Sequence, residues 1–181
     1  MITGSVKSMS TNGSSFRQLL TPSSYVTLAV PILVLIIAVF TQTKVLLDYT
    51  HVICGGTWTG IDLFMGLVMP RVMRGLAPEA RAEVIKRLVP VMLFLMPALA
   101  SVAITAGIYL AQWEGLLNLQ SPWIIAAVII VLILTVQGFG IVMPTEIYGR
   151  PAVGMRNIKV SASQAIFQVA IIFVMANLAM A

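Results

Sequence analysis

The sequence predicts an all-α integral membrane protein, a polytopic bundle of five transmembrane helices, and two observations support this fold class. Apolar residues make up 59% and charged residues 9% of the 181 residues, and the mean hydropathy is +1.00. Soluble domains are about 45–50% apolar and about 25% charged, so lipid must be the solvent for much of this chain. In addition, the apolar residues occur in five runs, and the charges lie mainly in the polar segments between them.

Each run reaches or approaches the roughly 20 residues that span a bilayer. Residues 1–22, rich in Ser, Thr and Gly, are predicted to be a flexible or interfacial tail, and residues 23–181 a single transmembrane domain. The first run is followed by Phe40-Thr41-Gln42-Thr43, which offers no small-x-small cleavage site, so we expect an uncleaved helix. A short amphipathic helix, Ala80–Lys86, is expected at the interface. The predicted spans are Ser24–Phe40, Val45–Val72, Leu88–Ala111, Pro122–Val142 and Val160–Ala179.

The basic residues predict the orientation of the bundle. With five spans, Lys44 falls alone on one side and the other ten of the 11 Lys and Arg residues fall on the opposite side. An excess of Lys and Arg marks the cytoplasmic face, so we expect the N-terminus inside and the C-terminus outside, in a prokaryotic cytoplasmic membrane. No basic stripe with interleaved aromatic residues occurs, which argues against nucleic-acid binding. The ten residues are Lys7, Arg17, Arg71, Arg74, Arg81, Lys86, Arg87, Arg150, Arg156 and Lys159.

The stretch from His51 to Asp62 contains the residues best suited to chemistry. It holds the only histidine and the only cysteine of the chain, and Asp62 is an ionisable residue deep in an apolar run. Such residues are costly in lipid and are expected to face the bundle interior. Asp62 lies roughly 16 Å deeper than His51, at about 1.5 Å per helical residue. The spacing of an α-helix puts six residues on one face, which we call the stripe: His51, Gly55, Trp58, Asp62, Met65 and Met69. Candidate partners for Asp62 near mid-membrane are Gln137, Gln164 and Gln168.

Each of these residues also has a purely structural interpretation. His51 could be an ordinary hydrogen-bonded residue near the interface, and Gly56 and Gly60 have the spacing of a helix-packing motif. Cys54 could be a small buried apolar residue. Asp62 could be protonated rather than charged.

The motif His51-Val52-Ile53-x-Gly55-x-x-Trp58-x-Gly60 resembles the opening motif of a group of small helical membrane proteins. This group includes HemJ-type protoporphyrinogen oxidases, CopD copper-resistance proteins and the membrane domain of cytochrome-linked urate oxidases. The resemblance covers about residues 48 to 112. It continues through Met69-Pro70-Arg71 and Lys86-Arg87-Leu88 to Thr105-Ala106-Gly107-Ile108-Tyr109-Leu110.

The resemblance implies that His51 ligates haem b and that a basic residue opening the next helix, Lys86 or Arg87, is functionally important. We expect Gly55 and Gly60 to leave room for the cofactor, Trp58 to line its pocket, and Asp62 to tune it or carry a proton. Ser161-Ala162-Ser163-Gln164 replaces the Asn-Glu pair of HemJ, so haem binding is expected rather than protoporphyrinogen oxidation. The implied function is electron transfer in a respiratory or quinone-linked system, and any enzyme activity would be that of a membrane oxidoreductase. Candidate sixth ligands near the outer face are Tyr109, Met175 and Met180.

Two alternatives stay open. In a CopD-like copper protein, His51 and Cys54, on one helical face, would bind Cu(I) together with Met175 or Met180. Alternatively, a small protein with short loops could be a cofactor-free accessory subunit of a larger membrane complex or a homo-oligomer, with its glycine notches seating a partner helix or a quinone. The sequence lacks nucleotide-binding loops, nucleophile elbows, zinc-ligand spacing and paired carboxylates, which excludes a conventional hydrolase or transferase.

Overall fold

The computed structural model describes residues 22–118, 120–144 and 154–180. Within these residues the fold is all-α with five helices, as predicted. Three of them, α2, α3 and α4, are long and apolar enough to cross a membrane, and α1 and α5 contain shorter apolar stretches. Most of the predicted N-terminal tail and Arg150 lie outside the described residues. The helices are α1 Pro22–Phe40, α2 Lys44–Arg74, α3 Pro78–Trp113, α4 Pro122–Val142 and α5 Gly154–Leu178.

The prediction of a separate interfacial helix at Ala80–Lys86 is wrong, because α3 continues without a break from Pro78 to Trp113. Pro78 stands in the first turn of the helix, where its missing N–H costs nothing. No helix-breaking residue follows before Pro90, and Arg87 Nε donates to Glu83 Oε1 at 2.7 Å one turn away. The segment therefore has the local support to form the first turns of α3. At the other end of the chain, α5 starts at Gly154, earlier than the predicted Val160.

Two helices contain a π-helical segment, which the sequence did not predict. Phe64–Val68 interrupts α2, and Val136–Val142 forms the last part of α4. A proline follows each segment closely, Pro70 in α2 and Pro144 after α4. A helical proline has no N–H to donate and its ring displaces the carbonyl one turn earlier, so the preceding turn widens. Such π segments are often found at functional sites.

The helices form two groups that α5 joins. α2 packs chiefly against α3 and α1 lies against both, while α4 packs against α5 and α5 also contacts α2. The end of α1, the start of α2 and the end of α3 meet in a cluster of Ala38, Leu47, Ala106 and Leu110, so these helices alternate in direction. α3 and α4 scarcely touch. This leaves a cleft between them, which is open to residues of α2 and α5.

Candidate functional site

His51 lies on α2 and its imidazole is held by α3. Its Nδ1 is 2.8 Å from the backbone oxygen of Ala103, and the ring is half-buried. A carbonyl oxygen only accepts hydrogen bonds, so the proton must be on Nδ1 and Nε2 of the neutral ring must carry the lone pair. Histidines that bind metals are commonly oriented by such a bond from the other ring nitrogen. The geometry therefore prepares Nε2 to act as a ligand.

Gly107 provides the space in which the imidazole lies. A Cβ at this position would be 2.7 Å from His51 Cε1 and 3.0 Å from Nδ1, which is closer than real contacts allow. Gly107 lies one turn beyond Ala103 on α3, so the hydrogen bond and the space come from the same face of that helix. Neither Ala103 nor Gly107 was a predicted site residue, although Gly107 belongs to the Thr105–Leu110 segment of the family resemblance.

An ion pair joins α2 to the end of α3 near His51. Lys44 Nζ at the start of α2 lies 2.7 Å from Glu114 Oε1, immediately after α3. Lys44 thus pairs across the helices rather than with Asp48 in its own helix. Lys44 is the only basic residue predicted at this end of the bundle. Because it is paired with Glu114, it is not free to bind a carboxylate group of a cofactor such as haem.

Asp62 is bound to Gln168, one of the three glutamines that the sequence offered as partners. The carboxylate is 6% exposed, and Gln168 Nε2 donates to its Oδ2 at 2.5 Å. Trp58, one turn earlier on α2, lines the same cavity as Asp62. Gln168 is itself 1% exposed, so the bond joins α2 and α5 deep in the bundle. The expectation that Asp62 faces the interior and contacts a glutamine is confirmed.

The cleft contains a cavity of about 130 Å³ on the Asp62 side. Three members of the predicted stripe line it, which confirms their inward orientation: Trp58, Asp62 and Met65. The cavity reaches along α3 as far as Ile104, next to the residue that accepts the His51 hydrogen bond. Residues of both π segments contribute to its wall. The residues that line it also include Met92, Met96, Ala100, Thr135, Gly138, Phe139, Met143 and Gln164.

The glycines of the motif have different surroundings. A Cβ on Gly55 would meet Ala103 Cβ at 3.8 Å, an ordinary packing distance, so Gly55 lies in the α2–α3 contact. Nothing lies within 4 Å of a Cβ built on Gly56 or Gly60, and both are exposed. Gly60, a predicted cofactor-lining residue, therefore faces away from the rest of the described chain.

The residues considered for copper are not brought together by the described contacts. Cys54 is buried in a cluster with Leu99, Val102 and Ala103. Met175 packs beside a different cluster, formed by the start of α4 and the end of α5. In the part of the chain that the structure describes, no group of three or more His, Cys, Asp or Glu side chains could hold a metal ion.

Lys86 and Arg87 lie at the opposite end of α3 from the His51 contact. Both are exposed, and Arg87 pairs with Glu83. At about 1.5 Å per residue they are about 25 Å from Ala103 along the helix axis. His51 and these two basic residues therefore belong to separate regions of one chain.

Comparison of the chain with family models, curated proteins and solved structures gave no match.

Proposed function

We propose that this protein is an integral membrane haem b-binding protein, with His51 as axial ligand, that transfers electrons in a respiratory or quinone-linked system. The observation that carries the proposal is the position of the His51 ring. Its Nδ1–H donates to the Ala103 carbonyl and its edge lies against Gly107, which leaves Nε2 free to bind iron. A neutral imidazole oriented in this way is the usual proximal ligand of haem iron.

His51 provides a nitrogen ligand for iron, and the residues around it are compatible with this role. The ring is fixed before the cofactor arrives, so little conformational freedom is lost on binding. Gly55 lies in the contact between α2 and α3, and Trp58, about two turns further along α2, contributes an aromatic side chain to the wall of the cavity. The cavity of about 130 Å³ is smaller than cofactor pockets of about 300–1,000 Å³ and His51 does not line it, so the proposed haem site is not this cavity.

Haem b would supply a reversible one-electron couple at this position. The chain would supply the axial nitrogen and the apolar surroundings that tune the potential. Asp62 lies about 16 Å from His51 along α2, too far to touch an iron-bound group. Its role would be in a second, deeper site. Lys86 and Arg87 lie at the other end of α3 and have no part in the proposed haem site.

The proposal includes five membrane spans, with the N-terminus in the cytoplasm and the C-terminus outside. The alternating direction of α1, α2 and α3 and the basic residues near the α2–α3 turn support it. The shorter apolar stretches of α1 and α5 fall at or just below the range of about 17–25 residues for a transmembrane helix. The cytoplasmic membrane of a prokaryote is the proposed location.

The visible spectrum of the purified protein tests the proposal. Expressed with ample haem supply, the protein should show a Soret band, and the His51→Ala variant should lose it while its thermal unfolding in detergent remains cooperative. Cys54→Ala is the matched control, because it removes a neighbouring polarisable side chain that the haem proposal does not use. Its Soret band should be unchanged.

Absence of a Soret band from the wild-type protein would overturn the proposal. Metal analysis of that protein would then identify a copper site, in which Cys54→Ala should also lose the metal. Co-purification of a defined partner without any cofactor would instead favour the accessory-subunit alternative.

A further inference from the structure

Two buried glutamines deep in the bundle use their donors on other side chains. Gln168 uses its Nε2 on Asp62, and Gln137 uses its Nε2 on Ser163 Oγ at 3.1 Å. In the described part of the chain the Oε1 atoms of both glutamines are buried without a partner, but neither glutamine lines the cavity. With Asp62 ionised, its carboxylate only accepts hydrogen bonds, so the Gln168 amide presents its nitrogen to it. Thr135 lines the cavity, but its hydroxyl already donates to Val131 at 2.7 Å.

Asp62 also has no counter-ion among the described side chains. The ion pairs found there join Lys44 to Glu114 and Arg87 to Glu83. Arg71 lies on the same helix, but about 13 Å further along at 1.5 Å per residue. A buried carboxylate is costly unless a cation or several hydrogen-bond donors meet it, and Asp62 is the carboxylate that lines the cavity. The group that would complement Asp62 from the cavity is therefore a cation with hydrogens to donate.

The cavity shows what kind of cation fits. Its polar groups, Asp62 and Gln164, lie beside walls of methionine side chains and the aromatic rings of Trp58 and Phe139. A bare Ca²⁺ or Mg²⁺ ion takes about six or more oxygen ligands, which these walls do not offer. A volume of about 130 Å³ is close to the roughly 150 Å³ of an apolar cavity that holds one benzene molecule. Aromatic faces attract organic cations as well.

We propose that this cavity binds a small organic ammonium ion. Its ammonium group would donate to the Asp62 carboxylate, and its apolar part would lie among the methionines and Phe139. The site is distinct from the one proposed for haem, since His51 does not line the cavity. A binding measurement on a His51→Ala variant therefore separates the two proposals.

Benzylamine is a suitable probe, because it is an ammonium ion at neutral pH and its ring matches the cavity in size. Equilibrium dialysis of radiolabelled benzylamine against the full chain in lipid nanodiscs, with empty nanodiscs subtracted, should give saturable binding of one molecule per chain. Benzyl alcohol, which has the same ring and no charge, should compete at least about tenfold more weakly, as expected when a buried carboxylate is the partner.

Variants identify the site. Asp62→Asn should weaken benzylamine binding about tenfold or more. Asp48→Asn removes an exposed carboxylate from the same helix and should have no effect. Ala100→Leu leaves Asp62 in place but fills part of the cavity, so it should also weaken binding. His51→Ala should bind as the wild type does.

Non-saturable binding, equal affinity for benzyl alcohol, or unchanged binding by both Asp62→Asn and Ala100→Leu would overturn the proposal. Loss of benzylamine binding on addition of sodium chloride at constant ionic strength would also overturn it, since the site would then belong to an inorganic cation.

Discussion

The surroundings of His51 depend on the absence of a side chain at position 107. A methyl group there would lie only 2.7 Å from Cε1 of the imidazole. Because the methyl group would be fixed to the backbone of α3, the ring would have to move. We predict that Gly107→Ala lowers the free energy of unfolding by about 1–3 kcal/mol, the usual cost of overpacking. It should also remove the Soret band in the haem proposal, because Nε2 would lose its orientation. Thermal unfolding and absorption spectra measure the two effects.

Gly56→Ala is the matched control for this substitution. Nothing lies within 4 Å of the added methyl group, and alanine is the better helix former by about 1 kcal/mol. The control should be neutral or stabilising. A Gly107→Ala variant that is as stable as Gly56→Ala would show that the ring does not lie where α3 places it.

The Asp62–Gln168 bond gives a second prediction for single residues. Gln168→Leu removes the donor and leaves a buried carboxylate, which should cost about 1–3 kcal/mol. The double variant Asp62→Leu, Gln168→Leu removes both partners and should recover much of that loss, since replacing both groups by apolar ones is often nearly neutral. A double-mutant cycle from unfolding in detergent measures the coupling. Additive effects would mean that the two side chains do not interact.

Several of these residues could be placed from the sequence because the cost of polar groups in lipid restricts them. The helical spacing from His51 to Met65 and the polarity of Asp62 were enough to predict an inward face and a glutamine partner. The choice among Gln137, Gln164 and Gln168 was not predictable, because it depends on the rotation of α5 against α2. Ala103 escaped prediction as well, since it contributes a backbone oxygen that any residue has.

At the scale of elements, the two π segments are the features that the apolar pattern could not reveal. A π segment holds one additional residue in a turn, and the hydrophobicity of Phe64–Val68 is the same in either geometry. Only the prolines that follow gave a local signal. The segments matter here because Met65 and Gly138 belong to them and line the cavity.

Deleting one residue tests the π segment of α2. Removal of Leu67 should convert Phe64–Val68 to regular α-helix and leave the flanking turns nearly in register, so Asp62 and Arg71 keep their orientations. Removal of Ile53 from the regular part of α2 should instead rotate the rest of the helix by about 100° and separate Asp62 from Gln168. Thermal unfolding should show the first variant folded and the second severely destabilised. Equal damage by the two deletions would contradict the π assignment.

At the scale of the molecule, charge and helix direction make one joint prediction about topology. The α2–α3 turn lies next to Arg71, Arg74 and Arg81, and the turn after α3 begins at Glu114, which pairs with Lys44 at the start of α2. Because Lys and Arg are retained in the cytoplasm, the first turn should be inside and the second outside. Five spans then put the C-terminus outside. Four or six spans would mix the basic residues on the two sides.

Alkaline phosphatase, which is active only outside the cytoplasm, can report each position in turn. Fused after Gly115 or after Met180 it should be active, and fused after Gly75 it should be inactive. Each fusion needs a fluorescent counterpart that reports a cytoplasmic location, so that low activity is not mistaken for poor expression. Activity after Gly115 together with inactivity after Met180 would mean that α4 and α5 do not both cross the membrane. The deeper site uses Gln168 of α5 and side chains of α4, so one of its walls would then lie outside the membrane-spanning bundle, while His51, held between α2 and α3, would keep its place. The fusion after Met180 is therefore the measurement on which the surroundings of the deeper site depend.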